Sequence, residues 1–232
     1  MKHQIESVCN QKGHRFYGVI KSGVAVPAAL SLMILLSPIL LLVAILVKLS
    51  GRGPVLFFQT RVGFRGAQFE LIKFRTMGVN AEEDGPQWSS ENDARVTKIG
   101  HFLRETHLDE LPQLWNILRG EMCFIGPRPE RPVYHDLLKM QIPDFDLRTY
   151  VYPGITGWAQ VENGYANSIE CSRQKLECDL IYIQRMSPLL DVVILLRTVA
   201  RFLPNSQFKR KLRETPAKIL EANSKFGENF KT

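Results

Sequence analysis

Two adjacent carboxylates, Asp109 and Glu110, stand just before Pro112 and an apolar run that ends at Leu118. Proline fits the first turn of a helix, where its missing N–H is not needed, so the pair is predicted at or just before a helix N-terminus. The free N–H groups and the dipole of a helix stabilise negative charge at that end. Taken alone, the stretch is more typical of an ordinary acidic helix cap.

The basic residues around this pair favour phosphate chemistry. Arg104 precedes the pair, and Arg128 lies between two prolines that restrict its backbone, which suits a guanidinium held for two-pronged phosphate contact. Lys73 and Arg75 close a predicted strand and are further candidates, although strand-end charges are often only solvated. Neither a Walker lysine loop nor a GxGxxG motif is present, so phosphate binding must be built differently.

The carboxylates themselves limit the chemistry. Adjacent side chains on a helix point about 100° apart, so these two carboxylates do not face each other across a glycosidic bond. The pair suits the binding of one Mg²⁺ that is shared with a nucleotide diphosphate. Alternatively, one carboxylate acts as a nucleophile and the other assists it. The net charge of +7 favours an anionic partner, whether nucleotide, lipid phosphate or nucleic acid. Four cysteines without CxxC spacing argue against zinc.

An apolar segment precedes these residues. No charged residue occurs from Val24 to Val47, which is long enough to cross a bilayer, and Ser37-Pro38 falls near the middle. Basic residues flank both ends, so the positive-inside rule gives no preferred orientation for a straight span. A helix bent back at Pro38, with both ends on the cytoplasmic side, explains the charges and the proline together. A buried helix of a soluble protein is the alternative.

The remaining pattern predicts an α+β, mostly helical fold: a small cytoplasmic catalytic domain on an N-terminal re-entrant membrane helix broken at Ser37-Pro38. We expect strands at 55–59 and 69–74 around a turn at 63–66, helices at 98–106, 170–183 and 189–203, and a loop at 141–157. The expected divisions are a basic N-terminal segment (1–21), the re-entrant helix (22–50), the catalytic domain (51–203) and a basic C-terminal tail (204–232).

Several stretches match one family in order and spacing. They are Ser37-Pro38, Arg61-Val62-Gly63, Lys73-Phe74-Arg75-Thr76-Met77, Leu103-Arg104, Leu108 to Leu118, Gly126-Pro127-Arg128-Pro129-Glu130-Arg131-Pro132, Pro153 to Val161, and Asp179-Leu180-Ile181-Tyr182-Ile183. On these residues the chain resembles the bacterial sugar transferases, which are monotopic phosphoglycosyl transferases, and most closely the exopolysaccharide-type polyprenyl glycosylphosphotransferases.

The resemblance implies transfer of a sugar 1-phosphate from a UDP-sugar to polyprenyl phosphate, with release of UMP. It implies that Asp109 is the nucleophile, that Glu110 assists or shares Mg²⁺ with it, and that Lys73, Arg104 and Arg128 bind phosphate. The expected partners are the UDP-sugar, undecaprenyl phosphate and an anionic bilayer. The expected location is the cytoplasmic face of the bacterial inner membrane.

Departures from the family and two alternatives stay open. Members often carry an aspartate before the membrane helix, where this chain has Gly18. Many members carry an arginine for the substrate where this chain has Tyr165, so its sugar or nucleotide contacts are expected to differ. A phosphohydrolase with an aspartyl-phosphate intermediate would use the same carboxylates. A membrane-tethered helix–turn–helix regulator would use residues 98–118, but two acids begin its second helix, so no nucleic-acid partner is expected. The sugar and any homo-oligomer are not determined by the sequence.

Overall fold

The computed structural model describes residues 2–83, 85, 87, 93–163 and 168–201. The predicted C-terminal tail (204–232) and the departure at Tyr165 therefore lie outside the described residues. The chain begins with helices α1 (Lys2–Asn10), α2 (Lys12–Leu35) and α3 (Ser37–Leu49). Among the described helices, α2 alone is long and apolar enough to cross a membrane by length and composition, and little of it is buried.

The predicted break at Ser37-Pro38 is confirmed, but its form differs from the expected kink. Helix α2 ends at Leu35, and Leu36 leaves the helical conformation with φ −89° and ψ 2°. Pro38 lies in the first turn of α3, where its missing N–H breaks no hydrogen bond. The Ser37 hydroxyl donates to the carbonyl of Ile34 (2.8 Å), one of the carbonyls freed at the helix end. The break separates two complete helices.

Both ends of this apolar segment lie against the same domain. Near its start, Tyr17 donates to the carboxylate of Asp191 (2.7 Å), and Lys21 pairs with that carboxylate (2.9 Å). Near its end, Val47 of α3 is buried in a cluster that includes Phe74 and Leu103. The segment therefore begins and ends at one body.

A two-stranded antiparallel hairpin follows, formed by β1 (Leu56–Val62) and β2 (Gln68–Phe74), in which Leu56 lies opposite Phe74. Gly66 in the connecting turn has φ +81°, a conformation that glycine adopts without steric penalty. Phe69 and Leu71 of β2 are buried in one apolar cluster with Ala25 and Ala29 of α2 and with α5. The predicted strand pair is confirmed, although β1 continues to Val62.

The carboxylates lie in the next unit, which comprises α4 (Lys98–Glu105), a 3-10 turn (Leu108–Glu110) and α5 (Gln113–Leu118). Thr97 caps α4, accepting a hydrogen bond from the N–H of Gly100 (2.9 Å), and the predicted helix is confirmed. In α5, the residues Gln113, Leu114, Asn116 and Ile117 are buried. The exposed side chain of α5 is the apolar Trp115 (49%), so the helix offers no polar side chain to read base edges, which argues against the helix–turn–helix alternative.

The second half of the described chain is mainly helical. Its elements are β3 (Cys123–Ile125), α6 (Pro132–Gln141), a 3-10 helix (Phe145–Tyr150), β4 (Gly154–Thr156), α7 (Trp158–Asn163), α8 (Ile169–Arg185) and α9 (Pro188–Ala200). Strands β3 and β4 pair in parallel, with Cys123 opposite Gly154. Helices α8 and α9 confirm two predictions, each capped by a serine side chain. The loop predicted at 141–157 is wrong, because it contains the 3-10 helix and β4.

Candidate active site

The backbone places Asp109 and Glu110 in the 3-10 turn directly before α5, as the position of Pro112 predicts. Helix α4 ends, and His107 turns the chain with a left-handed φ of +55°. The carbonyl of His107 then accepts a hydrogen bond from the N–H of Glu110 (3.2 Å). Both carboxylates are buried, with 6% and 7% of their residue surfaces exposed. Two ionisable groups are thus taken out of water side by side, which requires compensation by nearby cations.

Glu110 receives that compensation. Its Oε1 lies 2.8 Å from Nζ of Lys73 and 2.5 Å from Nη2 of Arg128, and its Oε2 lies 3.3 Å from Nη1 of Arg128. Burial alone would raise the pKa of Glu110, but Arg128 and Lys73 outweigh burial and hold the pKa well below its usual range. Glu110 is therefore an ionised group fixed between two cations.

Asp109 has a different environment. Within the described part of the chain, its carboxylate accepts no hydrogen bond and belongs to no ion pair closer than 4.0 Å. Burial raises its pKa, Lys73 acts in the opposite direction, and the neighbouring charge of Glu110 adds to the increase. One carboxylate of the pair is thus committed to cations, whereas the oxygens of the other remain available to a ligand.

The position of Lys73 relative to this turn is fixed by Asn116. The Asn116 amide donates to the carbonyl of Glu70 on β2 (2.7 Å) and to the carboxylate of Glu121 (2.7 Å). Its oxygen accepts a hydrogen bond from the N–H of Ile72 (3.1 Å). This fully buried side chain joins α5 to the strand that carries Lys73. The sequence indicated no role for it, because a single amide in an apolar helix has no distinctive spacing.

Arg128 projects from the turn between Pro127 and Pro129, which follows β3. Because both prolines lack an N–H to donate within the turn, the carbonyls of the turn accept hydrogen bonds from other parts of the chain. The carbonyl of Pro129 accepts from Nη1 of Arg61 (3.0 Å), and the N–H of Val62 donates to Glu130 (2.9 Å). These hydrogen bonds tie the backbone on the C-terminal side of Arg128 to β1.

The other two predicted cations take different positions. Nε of Arg104 donates to the hydroxyl of Thr76 (3.0 Å), and its charge acts to lower the pKa of Asp109. Arg75, in contrast, donates to the carbonyls of Val47 (3.2 Å), Gly51 (3.0 Å) and residue 52 (2.9 Å). These carbonyls lie at and beyond the end of α3. The structure therefore brings Lys73, Arg104 and Arg128 to the carboxylates and places Arg75 at the end of the apolar segment.

A cavity of about 340 Å³ opens beside Glu110 and Arg128. Its apolar wall includes Leu32 and Leu36, at the break between α2 and α3. Further polar lining residues, which the sequence did not single out, are Arg148, Gln160, Lys175 and Arg201. They come from distant elements, so only the folded chain brings them to Glu110. The cavity joins an apolar region at the helix break to the charged turn.

Comparison with known proteins decides the family. The family model for bacterial sugar transferases matches residues 16–205. The chain belongs to the bacterial sugar transferase family. The matched range includes both the carboxylate turn and the Arg128 turn.

Named relatives share this part of the chain. An Aeromonas hydrophila UDP-N-acetylgalactosamine-undecaprenyl-phosphate N-acetylgalactosaminephosphotransferase is 43% identical over 187 residues, which cover 81% of this chain and 44% of the relative. A Caulobacter vibrioides UDP-glucose:undecaprenyl-phosphate glucose-1-phosphate transferase is 44% identical over 182 residues, covering 77% of this chain and 67% of the relative. An Escherichia coli protein of the same name is 40% identical over 189 residues, covering 81% and 41%. The chain spans less than half the length of the first and third.

The donor set fits Mg²⁺ only together with a substrate. Among the described residues, no group of three or more His, Cys, Asp or Glu side chains lies together for an all-protein site. Mg²⁺ is commonly held by one or two carboxylates and by substrate phosphates, and Asp109 offers uncommitted oxygens beside Glu110. Asp109 would hold a cation that a diphosphate brings with it, whereas the expected second ligand, Glu110, has both oxygens already bonded to Lys73 or Arg128.

Proposed function

We propose that the protein transfers a sugar 1-phosphate from a UDP-sugar to undecaprenyl phosphate and releases UMP. The observation that carries the proposal is the unequal carboxylate pair: Asp109 makes no hydrogen bond or close ion pair with any residue that the structure describes, whereas Glu110 beside it is fixed by Lys73 and Arg128. The names of the relatives support the same reaction. Those names include both glucose and N-acetylgalactosamine donors, so they do not select the sugar.

Asp109 is the nucleophile in this proposal. A carboxylate oxygen attacks the phosphorus that bears the sugar, a P–O bond to Asp109 forms, and the P–O bond to UMP breaks. UMP leaves with the bonding electrons. An oxygen of undecaprenyl phosphate then attacks the same phosphorus, and the bond to Asp109 breaks. This second step restores the carboxylate and gives an undecaprenyl diphosphate sugar.

The neighbouring side chains organise the phosphates. Arg128 and Lys73 face the diphosphate with fixed positive charge, and Glu110 keeps both cations in place before substrate arrives. Arg104 adds positive charge near Asp109. When bound, Mg²⁺ would offset the negative charge that accumulates on the diphosphate oxygens. Separating the two half-reactions lets a soluble donor and a membrane-bound acceptor react with the same carboxylate in turn.

The acceptor reaches the site from a membrane in this proposal. The segment α2–α3 enters the cytoplasmic leaflet of the inner membrane and turns back at the break, and its many exposed side chains include Leu35 (72%) and Leu41 (64%). Beyond Lys21, the rest of α2 is about 21 Å long at 1.5 Å per residue. That length is less than the roughly 30 Å of a bilayer core. The break with its cavity then meets the acyl chains, where the polyprenyl tail lies.

Transfer assays test this function. Purified protein is incubated with a panel of UDP-sugars, Mg²⁺ and undecaprenyl phosphate, and both UMP and the lipid product are measured. We expect at least one donor to yield equal amounts of UMP and undecaprenyl diphosphate sugar, and D109N to yield neither. Release of free sugar phosphate at the same rate without the lipid would instead identify a phosphohydrolase.

A further inference from the structure

The turn that carries Arg128 is held at consecutive carbonyls. The carbonyl of Pro127 accepts from the N–H of Gly154 (3.0 Å), and that of Arg128 accepts from Nη2 of Arg148 (2.9 Å). Arg61 and the backbone of β1 bond the next two carbonyls, as described above. Of these contacts, the one from Arg148 touches the residue whose guanidinium reaches Glu110.

Arg148 is a buried cation between two carboxylates. It lies in the 3-10 helix Phe145–Tyr150, and only 6% of its surface is exposed. Its Nη1 lies 3.3 Å from Glu130, and its Nη2 lies 2.7 Å from Asp179 of α8. The guanidinium also stands over the ring of Phe145, 5.0 Å from its centre. Two anionic neighbours offset its charge, so it is poorly suited to hold a substrate phosphate directly.

Burying a charged side chain is unfavourable unless hydrogen bonds and opposite charges offset the loss of water. Taking a cation and two carboxylates out of water is costly before their attraction is counted, and apolar side chains of similar volume often stabilise a fold equally well. A buried ionic network is therefore weak evidence for stability. The hydrogen bond from Arg148 to the Arg128 carbonyl has a defined direction, so it bears on the position of Arg128 rather than on stability alone.

We infer that Arg148, anchored by Asp179, is a positioning residue that holds the Arg128 guanidinium for the diphosphate of the substrate. This inference rests on the proposed function, in which Arg128 binds that diphosphate. The line of contacts runs from Asp179 through Arg148 to the backbone of Arg128, and from its guanidinium to Glu110 (2.5 Å). A displacement of about 1 Å at a group that orients a substrate can lower a rate about 100-fold.

Affinity for UDP in the presence of Mg²⁺ tests the inference by a double-mutant cycle, because UDP carries no sugar and no turnover interferes. R148K keeps the charge, but a lysine cannot reach the carbonyl and both carboxylates in the same directions. We expect R148K to weaken UDP binding about tenfold in the wild-type background and less than about twofold when R128A is also present. D179N, which keeps the shape of the anchor, should show the same dependence on Arg128 and serves if R148K does not fold.

R197K is the matched control. Arg197 is a buried guanidinium paired with Glu162 and stacked 5.2 Å from the ring centre of Trp158, and both of these partners lie outside the Arg128 turn. Its effect on UDP affinity should be the same factor with and without R128A. The positioning role is overturned if R148K and D179N each weaken UDP binding by the same factor with and without R128A. It is also overturned if neither substitution weakens UDP binding in the wild-type background. Failure of the wild-type protein to bind UDP would refute the proposed function instead.

Discussion

Arg128→Lys is the substitution for which the structure gives the sharpest expectation, because it keeps the charge and removes the shape. The guanidinium contacts Glu110 through two nitrogens, at 2.5 and 3.3 Å, and the same two-pronged geometry suits a phosphate. One ammonium cannot replace two N–H groups of fixed spacing. At least one charge-assisted hydrogen bond is lost, worth about 1.5–3 kcal/mol. The expected decrease in kcat/KM is therefore about 10- to 150-fold.

The assay is UMP release at varied UDP-sugar concentration with undecaprenyl phosphate in excess. R119K is the matched control: the Arg119 side chain is 51% exposed and lies 3.9 Å from Glu121, so activity should stay within about twofold of wild type. If R128K keeps more than half of the wild-type kcat/KM, the two-pronged contact is not used in catalysis.

Three further results are expected. E130Q should lower Tm at pH 7, by about 2–4 °C for each kcal/mol lost. Burial raises the pKa of Glu130, but Arg148 and Arg61 outweigh burial and lower the pKa. The stability that this carboxylate contributes is therefore present above about pH 4.5 and is lost as pH falls through the lowered pKa. A difference in Tm between wild type and E130Q that grows on acidification would contradict this. In a variant without Cys9, neither K12C nor R65C should react with an impermeant thiol reagent outside intact cells, and labelling of K12C would show a spanning segment. Excess chelator should abolish UMP release and added Mg²⁺ should restore it, whereas unchanged turnover would show that the reaction does not need the metal.

The sequence predicted elements that carry their own local signals. Helices α8 and α9 begin at serine caps and show apolar periodicity, and the hairpin β1–β2 surrounds a glycine-rich turn. Strands β3 and β4 were missed because each has three residues, too few to show a period, and they pair across a long stretch of chain. Only the folded chain defines such a pairing.

The site was predicted in composition rather than in arrangement. The resemblance named Asp109, Glu110, Lys73 and Arg128, but which carboxylate the cations hold required coordinates. Arg75 shows the limit of strand periodicity: residues 73 and 75 would share one face of a continuous strand, but β2 ends at Phe74. Beyond that point the N–H of Arg75 still donates to the carbonyl of Val55 (2.9 Å), but its side chain reaches the carbonyls at and after the end of α3.

Intact-protein and peptide mass spectrometry after incubation with a reactive UDP-sugar and Mg²⁺, without lipid, tests the central claim most directly. The account predicts a sugar-phosphate adduct on the peptide that contains Asp109, removable by hydroxylamine, with release of one equivalent of UMP. D109N should form no adduct and should lose about 10⁴-fold or more in turnover, whereas E110Q, which removes the group that orders Lys73 and Arg128, should still form it more slowly. No adduct and no UMP before the lipid is added, with normal turnover afterwards, would contradict the account and indicate direct transfer between the two substrates.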